Sequence, residues 1–209
     1  MISSAARGGP SEGGQEPGRS RTALIVAAGV GAVSASPVVG RLLSGGSAQA
    51  ASKAEDTRIL QLVLQLEYMQ VAFYRQALRD AGLGGELREF AQVALGHERR
   101  HLAVVKKALG AKAAAPPKFD FGARTRSAEA FRKTAIELED IAVAGYNGQA
   151  TNLTKATLAA AAEIVSVEAR HAAWVRALAG EVAAPDPVDE PMTARQVVAG
   201  LQKIGLRTS

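Results

Sequence analysis

His97-Glu98-Arg99-Arg100-His101 and, seventy residues later, Val167-Glu168-Ala169-Arg170-His171 decide how this chain is read. Each sits inside an apolar stripe with helical spacing. In the first, Leu87, Ala91, Ala94, Glu98, His101 and Val105 recur at intervals of three and four between about Glu86 and Leu109, and Gly110 is a natural stop. In the second, Leu158, Ala161, Ile164, Glu168, His171, Val175 and Leu178 do the same from about Asn152 to Gly180. Both stripes are core-facing, and in both a glutamate and a histidine stand where leucine belongs.

Two further helices complete the pattern. Ser52-Lys53-Ala54-Glu55 reads as a capping box opening a helix that carries Leu60, Leu64, Glu67, Val71, Tyr74 and Leu78 on one face and stops at Gly82. Residues 127–146 form another, with Phe131, Ala135, Glu139, Ala142 and Tyr146 in line and Asn147-Gly148 as its end. The joins within each pair are short, which makes two antiparallel hairpins. Residues 111–126, with Pro116-Pro117, are long enough to cross the end of a bundle. The expected fold is all-α: an antiparallel four-helix bundle over residues 52–180, two hairpins joined by a long crossover. Residues 181–209 add a Pro- and Asp-rich linker, a capping box at Thr193-Ala194-Arg195-Gln196 and a short helix to about Ile204.

Composition agrees. Only 4% of the residues are aromatic while 47% are hydrophobic, so the core is built from Ala, Leu and Val, which suits helices. The absence of Cys excludes disulfides, Cys-ligated zinc and iron–sulfur clusters. A net charge of +5 is spread without a basic block, so no nucleic-acid partner is expected.

The first fifty residues read as an address. Residues 1–18 are mostly Gly, Ser, Pro and Glu and have little to bury. Arg19 and Arg21 then precede a charge-free run, Ala23 to Gly40, and a small-residue stretch ends Ala48-Gln49-Ala50. Positive flank, apolar run and A-x-A site are the parts of an export signal. The arginine pair resembles a twin-arginine signal, with Ser20 between the two. An uncleaved membrane anchor is the alternative, disfavoured by Pro37, the Gly and Ser residues in the run and Arg41 after it. The protein is expected to be extracytoplasmic, touching a membrane only through this segment.

The four core glutamates carry the chemistry. A buried carboxylate costs several kcal/mol unless a partner offsets its desolvation, and four converging would repel one another. A pair of divalent cations resolves both problems. Ligands at i and i+3 project from one helix face, so Glu98 with His101, and Glu168 with His171, each offer a carboxylate and an imidazole to one ion. Adding Glu67 and Glu139 from the other helices gives the donor set of dinuclear carboxylate bundles. The halves also repeat, since Tyr74 follows Glu67 by seven residues and Tyr146 follows Glu139 by seven. Carboxylate and imidazole donors suit two Fe or Mn ions, with dioxygen or peroxide as the co-reactant. Glu98 and Glu168 are expected to bridge, and the activity expected is Fe(II) oxidation or peroxide handling, or metal binding without turnover.

With these motifs in place, residues 56–180 resemble the ferritin-like superfamily, and specifically the bacterial ferritin-like family similar to desiccation-related proteins. Leu66-Glu67-Tyr68 to Phe73-Tyr74, His97-Glu98 to His101, Leu138-Glu139-Asp140 to Tyr146 and Val167 to His171 carry the likeness. The resemblance implies that the glutamates and histidines are metal ligands, and that Tyr74 matches the tyrosine near the metals in ferritins, a candidate catalytic residue. The superfamily holds iron-storage proteins, oxidases, peroxide-reducing enzymes and manganese catalases.

Other readings use some of the same residues. His97 to His101 matches H-E-x-x-H, the zinc-protease helix. That reading leaves Glu67, Glu139, Glu168 and His171 unexplained and takes His97 from off the apolar stripe; otherwise His97 is solvated or sits behind the ligands. Glu137 competes with Glu139, which the spacing to Tyr146 favours; Glu137, Asp140 and Glu163 are then solvated charges. Tyr74 and Tyr146 are alternatively core aromatics whose hydroxyls bond the carboxylates. Trp174 reads as packing, and Arg99, Arg100 and Arg170 as surface charges. A metal-free salt-bridge network would leave a stress or scaffold protein. No assembly surface is specified, so monomer and homodimer are both open.

Overall fold

The computed structural model describes residues 51–207; the expected export segment lies outside the described residues. Four long helices dominate: α1 Lys53–Asp80, α2 Gly85–Leu109, α3 Ala128–Gln149 and α4 Lys155–Leu178. A shorter α5, Ala194–Ile204, follows the linker. Two-residue strands, β1 Lys118–Phe119 in the crossover and β2 Leu206–Arg207 after α5, pair antiparallel, with Lys118 opposite Arg207 and Phe119 opposite Leu206. Among the described residues no helix is long and apolar enough to cross a membrane.

The caps explain where helices begin. Ser52 accepts from the Glu55 backbone N–H and Ser127 from that of Ala130, each satisfying a donor the first turn leaves free. Thr193 and Gln196 form the full capping box of α5. Two boundaries differ from expectation. Asn147-Gly148 does not end α3, which continues to Gln149 and a short 3-10 turn. The reason is a second use for the glycine: Met192 of the linker donates its N–H to the Ala144 carbonyl at 2.8 Å, and a Cβ on Gly148 would overlap the Met192 backbone. The small faces of Ala144 and Gly148 thus let the linker lie on α3, and Gly145 gives Val197 of α5 its close approach. The second difference is that α4 starts at Lys155, not Asn152, and Leu158 points to solvent, 38% exposed, because the first turns of α4 stand at the rim of the bundle.

Asp56, in the first turn of α1, holds the start of α4. Its carboxylate accepts from the Thr154 N–H at 2.9 Å and from the hydroxyls of Thr154 and Thr157 at 2.5 and 2.6 Å. Thr154 is the N-cap of α4 and makes no side-chain cap of its own; Asp56 instead anchors the residue from the neighbouring helix through its N–H and hydroxyl. Burial pushes the Asp56 carboxyl up, but the bonds from Thr154 and Thr157 outweigh it and hold it below its ordinary value. A carboxyl lowered on folding stabilises above its unfolded pKa, and that stability is lost as pH falls through the folded value. Asp56→Ala is therefore expected to cost about 1–3 kcal/mol at pH 7 in urea unfolding, with the difference from the parent shrinking below roughly pH 4. An equal penalty at pH 7 and pH 2.5 would count against this account.

The bundle's two ends are packed differently. At one end Phe73, Tyr74, Phe90, Phe121 and Phe131 interlock; Phe73 stacks on Phe131 at 5.5 Å and Phe90 meets Trp174 edge-on at 5.3 Å. Trp174 is thus packing, as its position suggested. The other end is filled by Ile59, Val63, Val105, Leu109, Leu153 and Ile164. Val63 and Ile164 stand one turn before Glu67 and Glu168, and Val105 one turn after His101. Since these residues share a layer, α1 and α4 run one way and α2 and α3 the other, so residues 111–126 run the length of the bundle instead of crossing its end as expected from their length alone.

Candidate metal centre

At mid-height the four helices bring together Glu67, Glu98, His101, Glu139, Glu168 and His171. The four glutamates have no exposed surface, and His101 and His171 are 8% and 2% exposed. Each Glu-x-x-His pair projects from one face of its helix, as i and i+3 residues must. Glu98 lies between the imidazoles: Oε2 is 3.0 Å from His101 Nδ1 and Oε1 is 3.0 Å from His171 Nδ1. Glu168 Oε1 is 2.9 Å from His101 Nδ1, Glu67 Oε2 is 3.9 Å from it, and Glu139 Oε2 is 3.5 Å from His171 Nδ1.

The ligand atoms fall into two overlapping groups. Glu67, Glu98, His101 and Glu168 form one; Glu98, Glu139, Glu168 and His171 form the other, and within each all atoms lie within 4.8 Å of one another. The members common to both are Glu98 and Glu168. His97 is in neither, and the zinc-helix geometry, which needs His97 and His101 on one ion, is not what these groups offer.

The glutamates with one histidine each are held by tyrosines from across the bundle. Tyr74 of α1 donates to Glu139 of α3, and Tyr146 of α3 donates to Glu67 of α1 at 2.7 Å. Gln70 of α1, fully buried, donates to Glu168 Oε2 at 2.9 Å and reaches both oxygens of Glu139 at 3.4 Å. His97, one residue before Glu98, stacks on His171 with ring centres 5.1 Å apart and places Nδ1 2.9 Å from His171 Nε2. It stands behind the ligand set, not free in solvent. Asp140, expected to be a solvated charge, instead takes a forked pair of bonds from Arg176 at 2.5 and 2.6 Å, tying α3 to α4. Glu137 pairs with Lys203 of α5 at 2.9 Å, away from the centre.

The electrostatics follow from crowding. Burial, then the charges of Glu98 and Glu139, push Glu67 well above the usual carboxylate range. Burial and the charges of Glu98, Glu139 and Glu67 do the same to Glu168. Glu98 goes the other way, because the imidazoles of His101 and His171 beside its two oxygens outweigh its burial. Burial pulls the His171 imidazole down, but Glu139 and Glu98 outweigh it and push it up to about 9. Without cations, burial and mutual repulsion make the charged forms of Glu67 and Glu168 unfavourable.

The donor set fits dications. Glu67 Oε2, Glu98 Oε1, Glu168 Oε1 and His171 Nδ1 are buried and lack a hydrogen-bond partner. Glu98 Oε1 stands 3.0 Å from His171 Nδ1 and Glu168 Oε1 2.9 Å from His101 Nδ1, yet neither oxygen takes part in a hydrogen bond. Bond lengths of roughly 2.0–2.2 Å to a divalent ion place neighbouring ligand atoms about 3 Å apart; Glu98 with both histidines and Glu168 with His101 stand at 2.9–3.0 Å, while Glu139 and Glu67 stand at 3.5 and 3.9 Å from theirs. A metal-binding imidazole also needs its other ring nitrogen to donate outward. Beside His171 Nε2 stands His97 Nδ1, a possible acceptor at 2.9 Å, and burial together with the charges of His171 and His101 lowers the pKa of His97.

Gln70 was missing from the sequence reading, although a signal existed: it follows Glu67 by three residues, the place the histidines take on α2 and α4. Against known proteins, a family model described as a ferritin-like domain matches residues 55–181. No curated protein matches the chain.

Proposed function

Because the chain belongs to the ferritin-like domain family, we propose that its mid-bundle cluster holds two Fe or Mn ions and that the protein oxidises Fe(II), or handles peroxide, outside the cytoplasm. The observation that carries this reading is Glu98, whose two oxygens face two different imidazoles at 3.0 Å inside a set of orphaned buried acceptors. Glu98 and Glu168 would serve both ions; Glu67 with His101, and Glu139 with His171, would complete one side each. When bound, a pair of Fe(II) ions supplies two electrons, one from each, to a dioxygen or peroxide molecule.

The chain's own groups prepare this. Gln70, Tyr74 and Tyr146 hold three carboxylates by their outer faces, so the remaining oxygens are aimed inward before any ion arrives. His97 fixes the tautomer that leaves His171 Nδ1 free to bind. Tyr74 is also the candidate redox residue: in giving one electron to the dioxygen or peroxide co-reactant it would pass its hydroxyl proton to Glu139, its hydrogen-bond partner. The extracytoplasmic placement rests on the signal-like sequence of residues 19–50, an arginine pair, an apolar run and Ala48-Gln49-Ala50.

Metal analysis of the purified protein, followed by stopped-flow oxidation of added Fe(II), tests the reading. The parent should take up two ions per chain, and Glu98→Gln, which preserves shape, should lower uptake at least tenfold and abolish the fast oxidation phase. Glu98→Ala serves as the second control. A folded parent that binds neither Fe nor Mn would leave only the scaffold reading, in which the tyrosine and histidine bonds to the glutamates are the whole purpose of the cluster. Uptake without oxidation would make the protein a carrier.

A further inference from the structure

One turn beyond the centre, at the end of the bundle without the aromatic cluster, lies a cavity of about 220 Å³. Ile59, Val63, Val105 and Ile164 form its inner wall, Tyr146 its floor, and Val104 and Ala160 its rim. Val104 is 47% exposed, so the opening lies between α2 and α4. The repeated halves make the cavity conspicuous. Tyr74 and Tyr146 hold equivalent glutamates, but Tyr74 is enclosed by Phe73, Phe90 and Phe131 with ring centres 5.4, 5.8 and 6.0 Å away. Around Tyr146 the chain places Ala108, Ala156, Ala160 and Ala161 instead, and space remains.

The walls specify the occupant. The polar side chains that line the cavity are Tyr146, Gln149 and Thr157, and each donor is engaged elsewhere: the Tyr146 hydroxyl on Glu67, the Gln149 amide on the Met192 carbonyl at 3.3 Å, the Thr157 hydroxyl on Asp56. No charged side chain is among the lining residues. An apolar cavity of about 150 Å³ is enough to stay dry and take up benzene. We propose that this cavity is a binding site for an uncharged apolar small molecule, a single hydrocarbon ring or a short alkyl chain, entering between α2 and α4. A charged or strongly hydrogen-bonding molecule of the same size finds nothing there to replace its water. The site stands whether or not the centre holds metal. Its floor, however, is the ring whose hydroxyl orients Glu67, so an occupant presses on a residue of the centre itself.

Toluene, with benzoate as the charged control of equal size, tests this on the purified protein. Methyl resonances of Val63, Val104, Val105 and Ile164 should shift saturably with toluene and not with benzoate. Ala108→Phe and Ala160→Phe enlarge two exposed wall positions from opposite sides and leave a solvent-facing escape for strain. Each should weaken toluene binding at least tenfold while Fe(II) uptake stays unchanged. Absence of a saturable toluene shift in the parent, equal binding of benzoate, or undiminished toluene affinity in both folded variants would overturn the proposal.

Discussion

Fe(II) or Mn(II), added to the metal-free protein to about a thousand times its dissociation constant, should raise the melting temperature by roughly 15 °C or more. An ion that binds only the folded state at that excess stabilises it by about 4 kcal/mol, and two by about 8. A domain of this size moves roughly 2–4 °C per kcal/mol. The size of the effect comes from the geometry. The ligands converge from four helices, so no part of the unfolded chain reproduces the site, and the metal-free centre starts from an unfavourable state in which buried carboxylates crowd one another. Calorimetry under reducing conditions, repeated after addition of a chelator, measures the shift and its reversal. A change below about 2 °C for both metals would remove the dinuclear reading.

Glu168→Leu should do the reverse in the absence of metal, raising stability by about 1–4 kcal/mol while eliminating the metal-induced shift. Exchanging a buried charge for an apolar side chain of similar volume is favourable where nothing is orphaned. Here nothing is: Gln70 retains Glu139 at 3.4 Å, and His101 retains Glu98 at 3.0 Å. The repulsion of three other carboxylates is relieved at the same stroke. Urea unfolding of metal-free parent and variant is the measurement. A variant less stable than the metal-free parent would mean that Glu168 is structural, and that the cluster needs no cation to be tolerated.

Much of this was legible in the sequence because the informative residues break a strong pattern. Four helices at apolar spacing left Glu67, Glu98, Glu139 and Glu168 as the exceptions, and a long helix in a bundle fixes which face such a residue takes. Gln70 stayed hidden since an uncharged amide in a core stripe raises no comparable cost. The stacking of His97 on His171 depends on the rotation of α2 against α4, which no spacing within one helix encodes. Leu158 followed the stripe and still faces solvent, because periodicity describes a helix face and not where the neighbouring helix ends. The β1–β2 pairing of two residues each is too short to leave an alternating pattern. It rests instead on Gly205, where φ of +152° and the close Asp120 carbonyl leave no room for a side chain.

The exchange of tyrosines has a consequence for how the polypeptide can be divided. Each hairpin carries a hydroxyl whose acceptor belongs to the other, and neither can complete its own carboxylate. Cut within residues 111–126, the chain would yield two fragments, each with an acidic strip and no answer to it. Mixed, they have reason to reassociate as a specific pair; kept apart, each is driven to seek a second copy of itself.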